Sequence, residues 1–185
     1  MSPRTAMFSR TTNETRVSVT VTLDGNGTAD IHTGIGFLDH LFVSLARHAR
    51  LDLSLTCSGD LLIDDHHTAI DRALGDRRGF ARFGSAFAPL DATLARAVVD
   101  LSGRPCSVID LGLQREVIGG LSCENISHII ASLATTLRGA LHVDVLRGDN
   151  DHHRAEAAFK ALALALRAAL ARTAEADVPS TKGVL

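Results

Sequence analysis

Two related seven-residue segments stand 86 positions apart in this 185-residue chain: Asp64-Asp65-His66-His67-Thr68-Ala69-Ile70 and Asn150-Asp151-His152-His153-Arg154-Ala155-Glu156. Each follows a strand-like run and opens a helix-like one. Each also lies downstream of a histidine in a helical pattern, His40 being 26 positions before His66 and His128 being 24 before His152. Six of the nine histidines thus obey one duplicated arrangement. A repeat of this kind signals one supersecondary unit used twice. The expected fold is α+β, with two tandem duplicated halves, 1–80 and 81–185, forming one compact unit. Each half should be a small mixed sheet with helices packed on one face.

The patterning between the motifs agrees. Residues 1–14 are polar and Thr-rich and are expected to be loosely held. Val17, Val19, Val21 and Leu23 alternate as in a half-buried strand. Asp24-Gly25-Asn26-Gly27 then signals a turn, predicting a hairpin into residues 28–32. Ile35, Leu38, Leu41, Phe42 and Leu45 form a helical stripe over 35–48. Leu51, Leu53 and Leu55 alternate again, and a short helix is predicted over 68–74, stopped by Gly75. In the second half, strand-like runs fall near 82–88, 95–101 and 106–113. A helix over 123–138, a strand over 141–146 and a long Ala- and Leu-rich helix over 153–172 follow. The tail from Val178 reads as irregular.

Composition removes several classes of function. The formal net charge is −2, with no basic block, so no electrostatic footprint for nucleic acid exists. The longest apolar run, Ala161 to Leu166, is far short of the ~20 residues of a spanning helix. No apolar stretch follows Met1, so no secretory signal is expected. Three cysteines without close spacing suit a reducing, cytoplasmic setting.

What remains is the histidine arrangement. Consecutive helical residues point ~100° apart, so His152 and His153 cannot easily hold one ion from one face. His152 and Glu156, at i and i+4, do share a face and can chelate together, leaving His153 for a second centre. Imidazole with carboxylate suits a borderline divalent ion such as Mn, Fe, Co or Zn. A single His–His pair is commonly a surface or capping feature. Two pairs, each with its own upstream helical histidine, argue for metal sites that draw on both motifs. His32 and His142 obey no such pattern and read as ordinary strand residues.

Several segments together resemble the imidazoleglycerol-phosphate dehydratase family over nearly the whole chain. They are Arg10-Thr11-Thr12-Asn13-Glu14-Thr15, Thr33-Gly34-Ile35-Gly36-Phe37-Leu38-Asp39-His40 and Leu45-Ala46-Arg47-His48. Asp64-Asp65-His66-His67-Thr68, Arg82-Phe83-Gly84 and Asp100-Leu101-Ser102-Gly103-Arg104-Pro105 continue the series. The last are His152-His153 through Glu156 to Phe159-Lys160-Ala161, and Pro179-Ser180-Thr181-Lys182-Gly183. The resemblance implies a metal-dependent hydro-lyase of histidine biosynthesis. Its substrate would be a small phosphorylated imidazole, imidazole glycerol phosphate, converted to imidazole acetol phosphate.

Carried over by position, the resemblance implies metal ligands His40, His66, His67, His128, His152, His153 and Glu156, holding two Mn²⁺ ions per active site. His48, Arg82, Arg104, Lys160, Ser180 and Lys182 would bind the substrate phosphate, and these include both lysines of the chain. Glu14, His40 and His67 would form the catalytic set, with Glu14 as acid or base. The proton to be removed is bound to carbon and no carbonyl acidifies it, so a metal-stabilised imidazolate is the expected route. The resemblance further implies homo-oligomers, 24-subunit shells built from trimers, without nucleic-acid or membrane partners.

Two positions depart from the family pattern. Ile70 stands where the first motif would carry a carboxylate, and the segment from there to Arg82 is shorter than the family's. Asp71, four residues after His67, is the acidic group nearest the lost one. Ser44 stands where a glutamine is usual. The alternative reading is therefore a catalytically impaired family member that retains metal-dependent shell assembly.

Overall fold

The computed structural model describes residues 3–59, 68–174, 177–180 and 185. The first half runs β1 (Thr5–Thr11), β2 (Thr15–Thr22), β3 (Ala29–His32), α1 (Gly36–Ala49), β4 (Asp52–Gly59) and α2 (Thr68–Leu74). The second repeats that order as β5 (Phe83–Leu90), β6 (Thr93–Asp100), β7 (Cys106–Asp110), α3 (Cys123–Leu137), β10 (Ala140–Arg147) and α4 (Asp151–Leu170). It adds only a small hairpin, β8 (Val117–Ile118) and β9 (Leu121–Ser122), before α3.

The two four-stranded sheets have the same topology, β1-β2-β4-β3 and β5-β6-β10-β7. β4 is antiparallel to β2 and parallel to β3, and β10 is likewise antiparallel to β6 and parallel to β7. The mixed sheets and their duplication are those the repeat implied. One face of each sheet is buried: Val17, Val19 and Val21 point inward from β2, and Ala95, Ala97 and Val99 from β6. The helices lie between the sheets, with α1 against β3 and β4, α2 against β1 and β2, α3 against β7 and β10, and α4 against β5, β6 and β10. Helix α1 also packs on α4, where Phe42 meets Phe159 edge-on at 6.5 Å. The buried residues of both halves belong to one core.

Helix α4 lies very close to β5. A Cβ added at Gly84 would sit 2.0 Å from the Ala165 carbonyl oxygen. The approach is possible because α4 turns Ala161, Ala165 and Ala169, all fully buried, into the core. Among the described residues no helix is long and apolar enough to cross a membrane.

Three sequence expectations are corrected. Residues 5–11 are not loose; they form β1 and pair with β2 from Thr5↔Thr22 to Thr11↔Arg16. Arg4 fastens that end by donating to both carboxylate oxygens of Asp24 and to the Leu170 carbonyl. The turn at residues 24–27 does not return the chain alongside β2. Asp52 Oδ1 accepts from the Asn26 and Thr28 amides, carrying the chain past β4 to the far edge. There β3 pairs with β4 in parallel, an arrangement that requires a crossover such as α1. Finally, the strand expected over 106–113 ends at Asp110. Beyond it, Leu111 accepts from Arg154 Nε, and the Gln114 and Arg115 amides donate to Asp151, so the loop is fastened to the start of α4 instead.

Candidate functional site

Helix α4 begins two residues before His153, capped by the Asn150 side chain, which accepts from the His153 amide at 3.2 Å. His152, Glu156 and Lys160 therefore follow one another at i+4 spacing along one face. Helix α1 carries His40 and, two turns on, His48. Its start is fastened by Asp39, whose Oδ1 accepts from the Thr33 amide at 2.8 Å and the Thr33 hydroxyl at 2.5 Å.

Where the helices meet, one ligand atom from each of His40, His152 and Glu156 lies within 4.8 Å of the other two. Glu156 Oε2 is 3.2 Å from His40 Nε2 and 3.3 Å from His152 Nε2. The other carboxylate oxygen, Oε1, is 2.7 Å from Lys160 Nζ. The Phe37 ring stands 4.8 Å from that of His152 and 6.3 Å from that of His40, forming an apolar wall. Burial pushes the Glu156 carboxyl up, but hydrogen bonds from Lys160 and His40 prevail and hold it down at about 2. The carboxylate is therefore charged at neutral pH. His48 is pushed below its ordinary value first by burial, then by the positive charges of Lys160 and Arg47. A cluster of side chains able to hold a cation and a corner bearing Lys160 and Arg47 thus adjoin between α1 and α4.

The other predicted residues fall elsewhere. His153 turns away, its ring at 82° to that of His152 and its Nδ1 3.6 Å from Asp91 Oδ2. His128 is an exposed residue of α3, outside the three-residue group. Glu14 is exposed in the β1–β2 turn, its amide donating to Thr12 Oγ1. Arg82 donates to both oxygens of Asp100, at 2.7 and 3.2 Å, and to the Pro179 carbonyl at 2.8 Å, bringing the segment before Ser180 alongside. Its guanidinium also covers the Phe83 ring. Arg104 is exposed in the β6–β7 turn. His66, His67 and Lys182 lie outside the described residues.

The structure answers for the residues near the lost carboxylate. Ile70 is 7 % exposed and belongs to the core. Asp71 is 2.6 Å from Arg77 Nη2 and 3.4 Å from Arg138 Nε, so its carboxylate is taken up by two guanidinium groups. Ser44 is buried and its hydroxyl has no partner among the described residues. Two residues of this picture escaped the sequence reading. Phe37, one turn before His40, carries a helical signal but no chemical one; Arg77, in a polar loop, carries none at all.

The architecture and the site together define a tandem-duplicated α+β chain with a histidine–carboxylate cluster between its two central helices. The sequence model of imidazoleglycerol-phosphate dehydratase matches residues 33–166. The chain is 56% identical over 192 residues to a protein of that name from Phytophthora nicotianae, covering 98% of this chain and 42% of that one. It is 51% identical over 220 residues to the Neurospora crassa protein of that name, covering 99% and 96%. The crystal structure of the Pyrococcus furiosus protein, in complex with (S)-C348, superposes with a TM-score of 0.82 at 34% identity, over 96% of this chain and 100% of that one. The chain belongs to the imidazoleglycerol-phosphate dehydratase family.

Proposed function

We propose that the chain is a hydro-lyase that removes water from imidazole glycerol phosphate to give imidazole acetol phosphate, in the histidine biosynthesis of the cytoplasm. The observation that carries this reading is the convergence of His40, His152 and Glu156, with Lys160 on the same carboxylate, in a chain of this family. Two imidazoles and one carboxylate are a donor set for a borderline divalent ion, and their ligand atoms are close enough to share one. Mn²⁺ is the ion assigned here. A divalent ion in this place supplies Lewis-acid stabilisation of the negative charge that develops on the imidazole ring.

A second ion falls to His153, with the consecutive His66 and His67 dividing between the two ions and His128 completing the ligand set, assembled between chains in a 24-subunit shell built from trimers. Elimination also needs a proton removed from carbon and one delivered to the departing hydroxyl. Glu14 is assigned to that transfer, while His40 and His67 orient the reacting ring. His48, Arg82, Arg104, Lys160, Ser180 and Lys182 are assigned to the phosphate; Arg and Lys together favour an anionic group of that geometry.

The test is turnover of imidazole glycerol phosphate by purified, Mn²⁺-loaded protein, followed by NMR. Turnover that stops with a chelator and returns with Mn²⁺ is expected. A second reading, an impaired member that keeps metal-dependent assembly, draws on the buried Ile70 and the engaged Asp71. Fully loaded, fully assembled protein without turnover would establish that reading and overturn the first.

A further inference from the structure

Glu156 has two oxygens and two kinds of partner. Oε2 faces the imidazoles of His40 and His152, whereas Oε1 is held by the Lys160 ammonium. The pair is shielded, the side chains being 13 % and 20 % exposed. A cation arriving at the imidazoles therefore meets a carboxylate already neutralised by an ammonium 2.7 Å away. That ammonium repels the cation and occupies one of the two oxygens the cation could use.

Lys160 has somewhere else to go. Its stem is flexible and its ammonium is a point charge that can change partners. His48 and Arg47 stand on α1, and it is burial first, then the positive charges of Lys160 and Arg47, that lower the His48 value. An anion settling in this corner would draw Lys160 from Glu156 while leaving Glu156 with its full charge.

We propose that Lys160 couples two binding events: a small tetrahedral oxyanion held at Lys160 and His48 frees Glu156, so that anion binding there and divalent-cation binding at His40, His152 and Glu156 strengthen each other. The inference rests on the cation reading of the cluster given above. Its consequence for the enzyme is that the metal is gripped hardest when a phosphorylated molecule is present. By linkage the effect must be reciprocal, the cation raising anion affinity by the same factor.

The experiment is Mn²⁺ binding by the assembled wild-type protein and by Lys160→Met, measured by electron paramagnetic resonance of free Mn²⁺, with sulfate or with chloride at equal ionic strength. Sulfate should tighten Mn²⁺ binding by the wild type by about 5-fold, the lower end of common coupling strengths. Lys160→Met should bind Mn²⁺ more tightly than the wild type in chloride and should not respond to sulfate. Lys160→Gln, which keeps a neutral donor to Oε1, should fall between them and decides the matter if the Met variant folds poorly. Mn²⁺ bound by the wild type with no sulfate effect, or Lys160 variants that bind Mn²⁺ more weakly, would overturn the coupling and leave the cation site standing. No Mn²⁺ binding by the wild type would overturn both.

Discussion

Helices α2 and α4 occupy the same place in the two halves, and both are introduced by an Asp-His-His motif, yet they do different things. Helix α4 runs for 20 residues and sends Glu156 to the imidazole cluster. Helix α2 runs for 7, and the matching position, Ile70, goes into the core beside Phe42 and Leu133, where a small apolar cavity of about 20 Å³ remains. The next residue, Asp71, meets Arg77, a guanidinium that is almost fully buried. Arg77 also donates to the carbonyls of Leu101 and Leu137, joining α2 to the end of β6 and the end of α3. Duplication has preserved topology while changing the position: one copy places a carboxylate among imidazoles, the other packs an apolar side chain into the core that both halves share.

That contrast can be broken most forcefully at Arg77. Arg77→Met leaves Asp71 without its closest partner and two buried carbonyls without their donor. Asp71 keeps Arg138, so the cost falls chiefly on the two buried carbonyls, at about 1–3 kcal/mol each, and a fall of about 2–5 kcal/mol in urea unfolding is expected. A loss below about 1 kcal/mol, the range of surface pairs, would show that the Asp71–Arg77 contact is incidental.

The next test compares the carboxylates directly. Glu156→Gln removes the charged donor and should weaken Mn²⁺ binding by at least about 10–100-fold, the range typical for losing groups that merely support a ligand. Asp71→Asn should leave Mn²⁺ affinity unchanged while lowering stability. If Asp71→Asn weakens metal binding as Glu156→Gln does, the two halves are chemically equivalent after all.

The smallest effect concerns a fastening that the halves share. Asp24, in the loop after β2, accepts from Arg4 and from Arg172, which follows α4. These guanidinium groups, Arg4 foremost, outweigh its burial and hold its carboxyl well below the ordinary value of 3.8. Because the folded value is the lower one, the contribution is present above about pH 4 and fades as the pH falls toward the folded value. Asp24→Asn should therefore cost about 1 kcal/mol at pH 7 and flatten the acid limb of the stability curve. An unchanged acid limb would exclude Asp24 from joining the halves.

Local periodicity made much of this protein legible. The alternation of Val17, Val19 and Val21 marked β2, the stripe of Leu38, Leu41 and Leu45 marked α1, and the duplicated motif foretold two like sheets. The i, i+4 relation of His152 to Glu156 is likewise a property of any helix and needs no tertiary information. Partner choice was not legible. A strand pattern says which face is buried but not which edge will be bonded, so β1 read as loose chain and β3 as a hairpin partner of β2. The turn at residues 24–27 was visible; the Asp52 carboxylate that redirects it comes from 26 residues beyond Asn26. The same holds for the site. Sequence placed Lys160 and Glu156 one turn apart, but only the packing of α1 on α4 brings His40 to the other oxygen and makes one carboxylate serve two charges. Asp71 shows the converse, since a free carboxylate in the sequence is engaged by Arg77 and Arg138, the second of them 67 residues away. Spacing along a helix is set by covalent geometry, whereas these contacts are set by which apolar faces must be buried together.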